Sequence, residues 1–233
     1  MLPRLIKLRG MALDLLFPRW CVGCGGEGSF LCQSCQRSLP RIEPPFCPRC
    51  GKPHAGGQLC SSCVEWSAAI DGIRSPFRFE GVVREAVHQL KYRNLRALAP
   101  LLSELLHDYI LANRVPGEVL VPVPLHRKRL RERGYNQSRL LAEGLGRLSN
   151  LPVVADCLVR QKDNPPQART ATVEERRDNV VGVFACRDDR LRGKQVLLID
   201  DVATSGATLD ACAEVLKASG VVSVWALTFA REI

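Results

Sequence analysis

No stretch of this 233-residue chain approaches the ~18 consecutive apolar residues that a membrane-spanning helix needs. No secretory signal is evident either. The early run MALDLLF is short, is interrupted by Asp14, and lacks a small-residue cleavage site before the first cysteines. Low-complexity tails are missing, and the only internal repetition is a doubling of one cysteine motif. Histidine is scarce, with four residues, and His54, His88 and His107 have no evident partners. These absences argue against a membrane protein and a secreted disulfide scaffold. They place the chain in a reducing, cytoplasmic compartment.

Acidic side chains are in deficit: 33 Lys and Arg face 24 Asp and Glu, a net charge of +9. That balance favours anionic partners such as nucleic acid, nucleotides or phosphates, without choosing among them. Apolar residues make up 46% of the chain, enough for one α/β domain plus a small module.

Cysteine is abundant. Eight of the 11 cysteines fall in four CxxC pairs: Cys21/Cys24, Cys32/Cys35, Cys47/Cys50 and Cys60/Cys63. In a reducing compartment such pairs read as metal knuckles. Zn²⁺ takes four thiolates tetrahedrally, and a CxxC turn supplies two. Two structural Cys₄ zinc sites are expected, with no open position for chemistry. The ligands pair either sequentially (21, 24, 32, 35 and 47, 50, 60, 63) or in an interleaved way. Residues 21–66 are rich in Gly and Pro, so the module needs metal to hold it. Residues 1–66 carry eight basic and four acidic side chains. Phe30, Phe46 and Trp66 there are candidates for core packing or for stacking on nucleic acid. Cys157, Cys186 and Cys212 read as small core residues.

The pattern predicts a helix over 2–17, the cysteine module to 66, and an α/β domain over 67–233. In that second domain a strand is expected within 68–80, then helices in VVREAVHQLKYR and LRALAPLLSELLHDYILANR. GEVLVPVP reads as a buried strand, and NQSRLLAEGLGRLSN as a helix capped by Asn136. LPVVADCLVR and NVVGVFAC suggest strands around an irregular linker. QVLLIDD reads as a strand, TLDACAEVLKASG as a helix closed by Gly220, and VVSVWALTFA as the last strand. Such alternation argues for a mostly parallel sheet flanked by helices.

The stretch QVLLIDDVATSGATL concentrates chemistry. Ligands bind open parallel sheets at the carboxyl ends of their strands. Asp200 and Asp201 sit where such a strand finishes. Adjacent carboxylates are suited to the paired hydroxyls of a ribose or to Mg²⁺. The turn Thr204-Ser205-Gly206-Ala207-Thr208 then opens a helix whose amides suit a phosphate. Together these describe a ribose 5-phosphate site. Upstream, VPVPLHRKRLRERGYNQS leaves a strand for a dense basic segment. Arg127, Arg129, Arg131 and Arg133 cannot share one helical face, so some are expected to face the site and some solvent or nucleic acid. The polar stretch KDNPPQARTATVEERRDN is too long for a tight turn and has the character of a lid.

VLLIDDVATSGATL resembles the phosphoribosyl pyrophosphate (PRPP) motif of type I phosphoribosyltransferases. With VPVPLHRKRLRERGYNQS, PPQART…RRDNVVGVF and the N-terminal cysteine module, nearly the whole chain is similar to the ComF family, also called the GntX type. The resemblance implies a phosphoribosyltransferase-like α/β fold carrying a double zinc ribbon. It implies that Asp200 and Asp201 hold ribose hydroxyls, that Thr204, Ser205, Gly206, Ala207 and Thr208 hold the 5′-phosphate, and that Ala203 belongs to the same PRPP site. It implies Mg²⁺ with PRPP, and a pyrophosphate loop of Leu125, His126, Arg127, Lys128, Arg129, Arg133, Asn136 and Gln137. It implies a mobile loop offering Gln167 and Arg169. Lys91 and Tyr92 resemble a KY pair of the family. Purine-salvage transferases carry a carboxylate at the position of Thr204, and this chain does not. The family is tied to handling or uptake of transforming, single-stranded DNA, which implies competence helicase or other uptake machinery as a partner. Two alternatives stand beside that role: an active transferase that moves PRPP's ribose to a nitrogen acceptor, and a zinc-ribbon DNA-binding protein with a PRPP sensor pocket.

Overall fold

A computed structural model describes residues 19–162 and 182–233. The expected helix over 2–17 and the loop residues Gln167 and Arg169 lie outside the described residues.

Two short helices punctuate the cysteine module: α1 (Gln33–Arg37) and α2 (Ser61–Val64). Each starts directly after a cysteine and carries the second cysteine of its pair on its inner face. The expected strand within 68–80 is split into β1 (Gly72–Arg74) and β2 (Phe77–Arg78). Pro76, with no N–H to give a ladder, lies in the break. Helix α3 (Gly81–Tyr92) follows, then a 3₁₀ turn at Arg96–Leu98 and α4 (Ala99–Asn113) with Pro100 in its first turn. Strand β3 (Val119–Pro122) is buried at all four residues.

The basic segment is helical, which its sequence did not announce. Helix α5 (Arg127–Arg133) is capped by His126, whose Nδ1 accepts from the Lys128 amide at 3.4 Å, and is stopped by Gly134 at φ +78°. Helix α6 (Gln137–Ser149) starts at Asn136 as expected, with Oδ1 accepting from the Ser138 amide at 3.0 Å. Strands β4 (Leu158–Arg160) and β5 (Phe184–Cys186) form an antiparallel pair apart from the main sheet. Strand β6 (Gln195–Ala203), helix α7 (Ala207–Ala218) and strand β7 (Ser223–Arg231) complete the described chain.

The main sheet has the order β1-β7-β6-β3, with β2 also on β7, and every pairing is parallel. Helices cover both faces, as expected. Side chains alternate along β6. Val196 and Leu198 join one core cluster with α7, β4, β5 and the second cysteine group. Leu197 and Ile199 join the other, with α3, α4, α6 and the first cysteine group. The two halves of the cysteine module therefore pack on opposite faces of one sheet.

Candidate functional site

The eight cysteine thiols gather as two sequential sets, Cys21, Cys24, Cys32, Cys35 and Cys47, Cys50, Cys60, Cys63, each with its Sγ atoms within 4.8 Å of one another. This resolves the pairing left open by the sequence. Zn–S bonds of about 2.3 Å in a tetrahedron require S···S separations of about 3.8 Å. Cys24 and Cys32 Sγ are 3.7 Å apart, and Cys50 and Cys60 Sγ are 3.8 Å apart. The amides of Cys32 and Cys60 donate to the sulfurs of Cys21 and Cys47 at 3.3 and 3.5 Å. Burial pushes the Cys21 and Cys47 thiols up, but backbone N–H donors outweigh it and bring each down to about 6, toward the ligating thiolate. These are two Cys₄ zinc-binding sites.

The carboxylate pair does not end its strand. Val202 and Ala203 remain in β6, paired with Ala230 and Arg231. Asp200 and Asp201 therefore leave the strand with opposite parity and acquire different partners. Asp200 Oδ1 accepts from the Ser138 hydroxyl at 2.7 Å and from the Asp201 amide at 2.9 Å. Burial, reinforced by the charge of Asp201, pushes the Asp200 carboxyl up to about 7. Asp201 is 2% exposed; its Oδ1 lies 2.9 Å from Lys91 Nζ, and its Oδ2 is buried without a hydrogen-bond partner. Burial pulls the Lys91 pKa down, but Asp201 overrides it and leaves the ammonium raised.

Beyond Ala203 the chain turns through an exposed Thr204 and a half-buried Ser205 to Gly206, at φ +88°. Only glycine takes that conformation without strain, and there it opens α7. The Ser205 hydroxyl accepts from the Ala207 amide at 3.4 Å. Helix α7 thus starts four residues past the end of β6, at the carboxyl end of the sheet, the place where an open parallel sheet takes its ligands.

The residues of the basic segment divide between two clefts. Leu125, His126, Arg127 and Asn136 line a cleft of about 950 Å³, completed by Leu130, Arg139, Leu158 and Arg160. Arg129 and Arg133, one turn apart on α5, face a smaller cleft of about 450 Å³ with Lys91, Tyr92, Asn94 and Glu132. Lys128 and Arg131 are exposed. Gln137 is buried and accepts from Arg133, whose guanidinium also sits 5.4 Å from the Tyr92 ring centre. Helix α5 is therefore a wall between two basic clefts. The larger adjoins the carboxylates through Asn136, two residues before Ser138. The smaller reaches them through Lys91. Ser138 was missed as a site residue although it closes the motif GYNQS.

A double zinc ribbon domain is matched over residues 12–64. The chain is 30% identical over 212 residues to Competence protein ComFC of Bacillus subtilis, covering 86% of this chain and 84% of that one. It is 29% identical over 221 residues to Competence protein F of Haemophilus influenzae, covering 89% and 95%. It is 28% identical over 205 residues to DNA utilization protein YhgH of Escherichia coli K12, covering 84% and 89%. Among solved structures it is similar to a hypoxanthine phosphoribosyltransferase from Staphylococcus aureus, at 15% identity and a TM-score of 0.36, over 57% of this chain and 62% of that one.

Proposed function

Because the chain belongs to the ComF family, we propose that it binds PRPP with Mg²⁺ at Asp200, Asp201 and the loop 203–208, and that it acts in the handling of single-stranded DNA. The observation that carries the PRPP reading is the junction at the end of β6. Two carboxylates with different partners precede the opening turn of α7, which Gly206 starts at φ +88°. Carboxylates for the hydroxyls and amides for the 5′-phosphate, at one sheet end, are the two requirements of a ribose 5-phosphate. In this reading His126, Arg127 and Asn136, which line the larger cleft, meet the pyrophosphate. Gln167 and Arg169 would close over it.

Competitive calorimetry tests this reading. PRPP with Mg²⁺ binds, ribose 5-phosphate displaces it, and free ribose does not. Displacement by ribose as effective as by ribose 5-phosphate would remove the phosphate loop from the account.

The nucleic-acid part of the proposal rests on the smaller cleft. Arg129 and Arg133 line it beside the acid Glu132, and Tyr92 at its edge keeps 67% of its surface exposed. Cations for phosphates beside an exposed ring for a base are what a single strand requires. A second reading, transfer of the ribose to a nitrogen acceptor, draws on the same pocket. Thr204 then has no carboxylate to serve as proton acceptor, so the acceptor must be nucleophilic as it binds. Pyrophosphate release over a panel of bases and amines separates binding from transfer. Cytoplasmic placement and a helicase partner complete the proposal.

A further inference from the structure

We propose that the second Cys₄ site is the brace of the loop 203–208, so that metal at Cys47, Cys50, Cys60 and Cys63 holds this loop in shape while metal at the first site does not. The consequence for ligand affinity rests on the reading of that loop as a phosphate site; the brace itself does not.

The loop is tied to the second ribbon at its helical end and to β7 at its strand end. At the helical end, the Trp66 indole donates from Nε1 to Asp210 Oδ2 at 3.1 Å, and the Ile70 amide donates to Asp210 Oδ1 at 2.9 Å. Asp210 is in the first turn of α7, where a carboxylate would repel a bound phosphate. Both its oxygens are instead engaged, one by Trp66 of the ribbon and one by the segment that follows it, and it is 7% exposed. The Trp66 ring also backs the loop: a Cβ added at Gly206 would sit 3.1 Å from its Cη2 and 3.0 Å from Ile73 Cδ1. At the strand end, Ala203 pairs with Arg231, and the Glu232 amide donates to Ala203 O at 2.9 Å.

The ribbon fixes those tethers in turn. Arg49, between Cys47 and Cys50, donates from Nη1 to Cys63 O at 2.8 Å and to Trp66 O at 2.7 Å. Its own carbonyl accepts from the Ile73 amide at 2.7 Å. Arg231 is 1% exposed, and its Nε and Nη1 are buried without hydrogen-bond partners. Among the described residues, no hydrogen bond joins the first site to the loop or to α7. Cys21 and Cys35 pack in the other core cluster with Val83 of α3, and the neighbouring Gly23 abuts Val82.

The test compares matched variants of the full chain. Cys60→Ser and Cys24→Ser each remove one ligand, from the second and the first site. Zinc per chain, hydrogen exchange of amides 207–210, and PRPP affinity are measured on each. Both variants lose one zinc. Only Cys60→Ser raises exchange at 207–210, by tenfold or more, and weakens PRPP binding by tenfold or more. Trp66→Phe keeps its zinc but loses the indole donor and the Cη2 atom that backs Gly206, and its exchange at 207–210 rises severalfold; this variant decides the matter if Cys60→Ser does not fold. Wild-type exchange in zinc-depleted Cys60→Ser, or in Trp66→Phe, overturns the brace. Elevated exchange in a protein whose wild type binds no PRPP keeps the brace and removes the phosphate reading alone.

Discussion

Lys91 Nζ and Asp201 Oδ1 lie 2.9 Å apart, joining the C-terminal turn of α3 to the central strand beneath the smaller cleft. Among the described residues no other side chain donates to Asp201, and its second oxygen is unpartnered. Removing the ammonium leaves a buried carboxylate alone. Lys91→Met is expected to cost roughly 2–3 kcal/mol, less than a fully buried pair because Lys91 keeps 21% of its side chain exposed. That is a fall in Tm of about 5–10 °C. Combining it with Asp201→Asn should recover most of the loss. Calorimetric melts of the two single variants and the double variant check it, and additive losses would contradict the pairing.

Asp200 predicts a pH dependence. Its folded pKa, about 7, lies above the ordinary carboxyl value of 3.8. The native state therefore holds a proton that the unfolded chain releases, and stability falls as pH rises from about 4 to 7. Asp200→Asn should stabilise the ligand-free protein at pH 8 and not at pH 4. If ionised Asp200 accepts ribose hydroxyls, PRPP binding releases a proton and weakens by up to about tenfold per pH unit below 7. Titrations in buffers of different ionisation enthalpy measure that proton.

Metal content follows from the two thiol clusters. Elemental analysis should find two zinc per chain, and strong chelators should unfold the module, because site formation and folding are linked. Reduced, metal-free protein with a wild-type melt would contradict this.

The smaller cleft predicts a salt dependence. Single-stranded DNA should bind with a linear fall of log affinity against log salt. Arg129→Gln with Arg133→Gln should lower the slope by about 1.4, for two phosphate contacts at about 0.7 each. Fluorescence anisotropy across a salt series checks it, and an unchanged slope would move the strand elsewhere.

Local chemistry was legible in the sequence, and contacts between distant segments were not. The apolar run of β6 and the small-residue turn after it announced their own structure, as did the Asn136 cap. The tetrathiolates were legible as a count, while their pairing needed the fold. Helix α5 was hidden because its residues are nearly all charged and it has no buried face to impose a period. The split of Asp200 from Asp201 was hidden because strand pairing to Arg231 carries β6 two residues past the expected end. Trp66 and Asp210 bond across 144 residues, and no spacing rule connects them.

The central claim is that the end of β6 holds a phosphoribosyl group, and Asp200→Asn tests it most directly. The amide keeps an oxygen for Ser138 and for the Asp201 amide, so the fold persists. It removes one anionic acceptor, worth about 1.5–3 kcal/mol per charged hydrogen bond. Calorimetric titration with PRPP and Mg²⁺ at pH 8 should show affinity at least about tenfold below wild type with an undiminished melting temperature. Wild-type affinity in the variant would mean that Asp200 only ties β6 to α6, and the pocket assignment would fall with it.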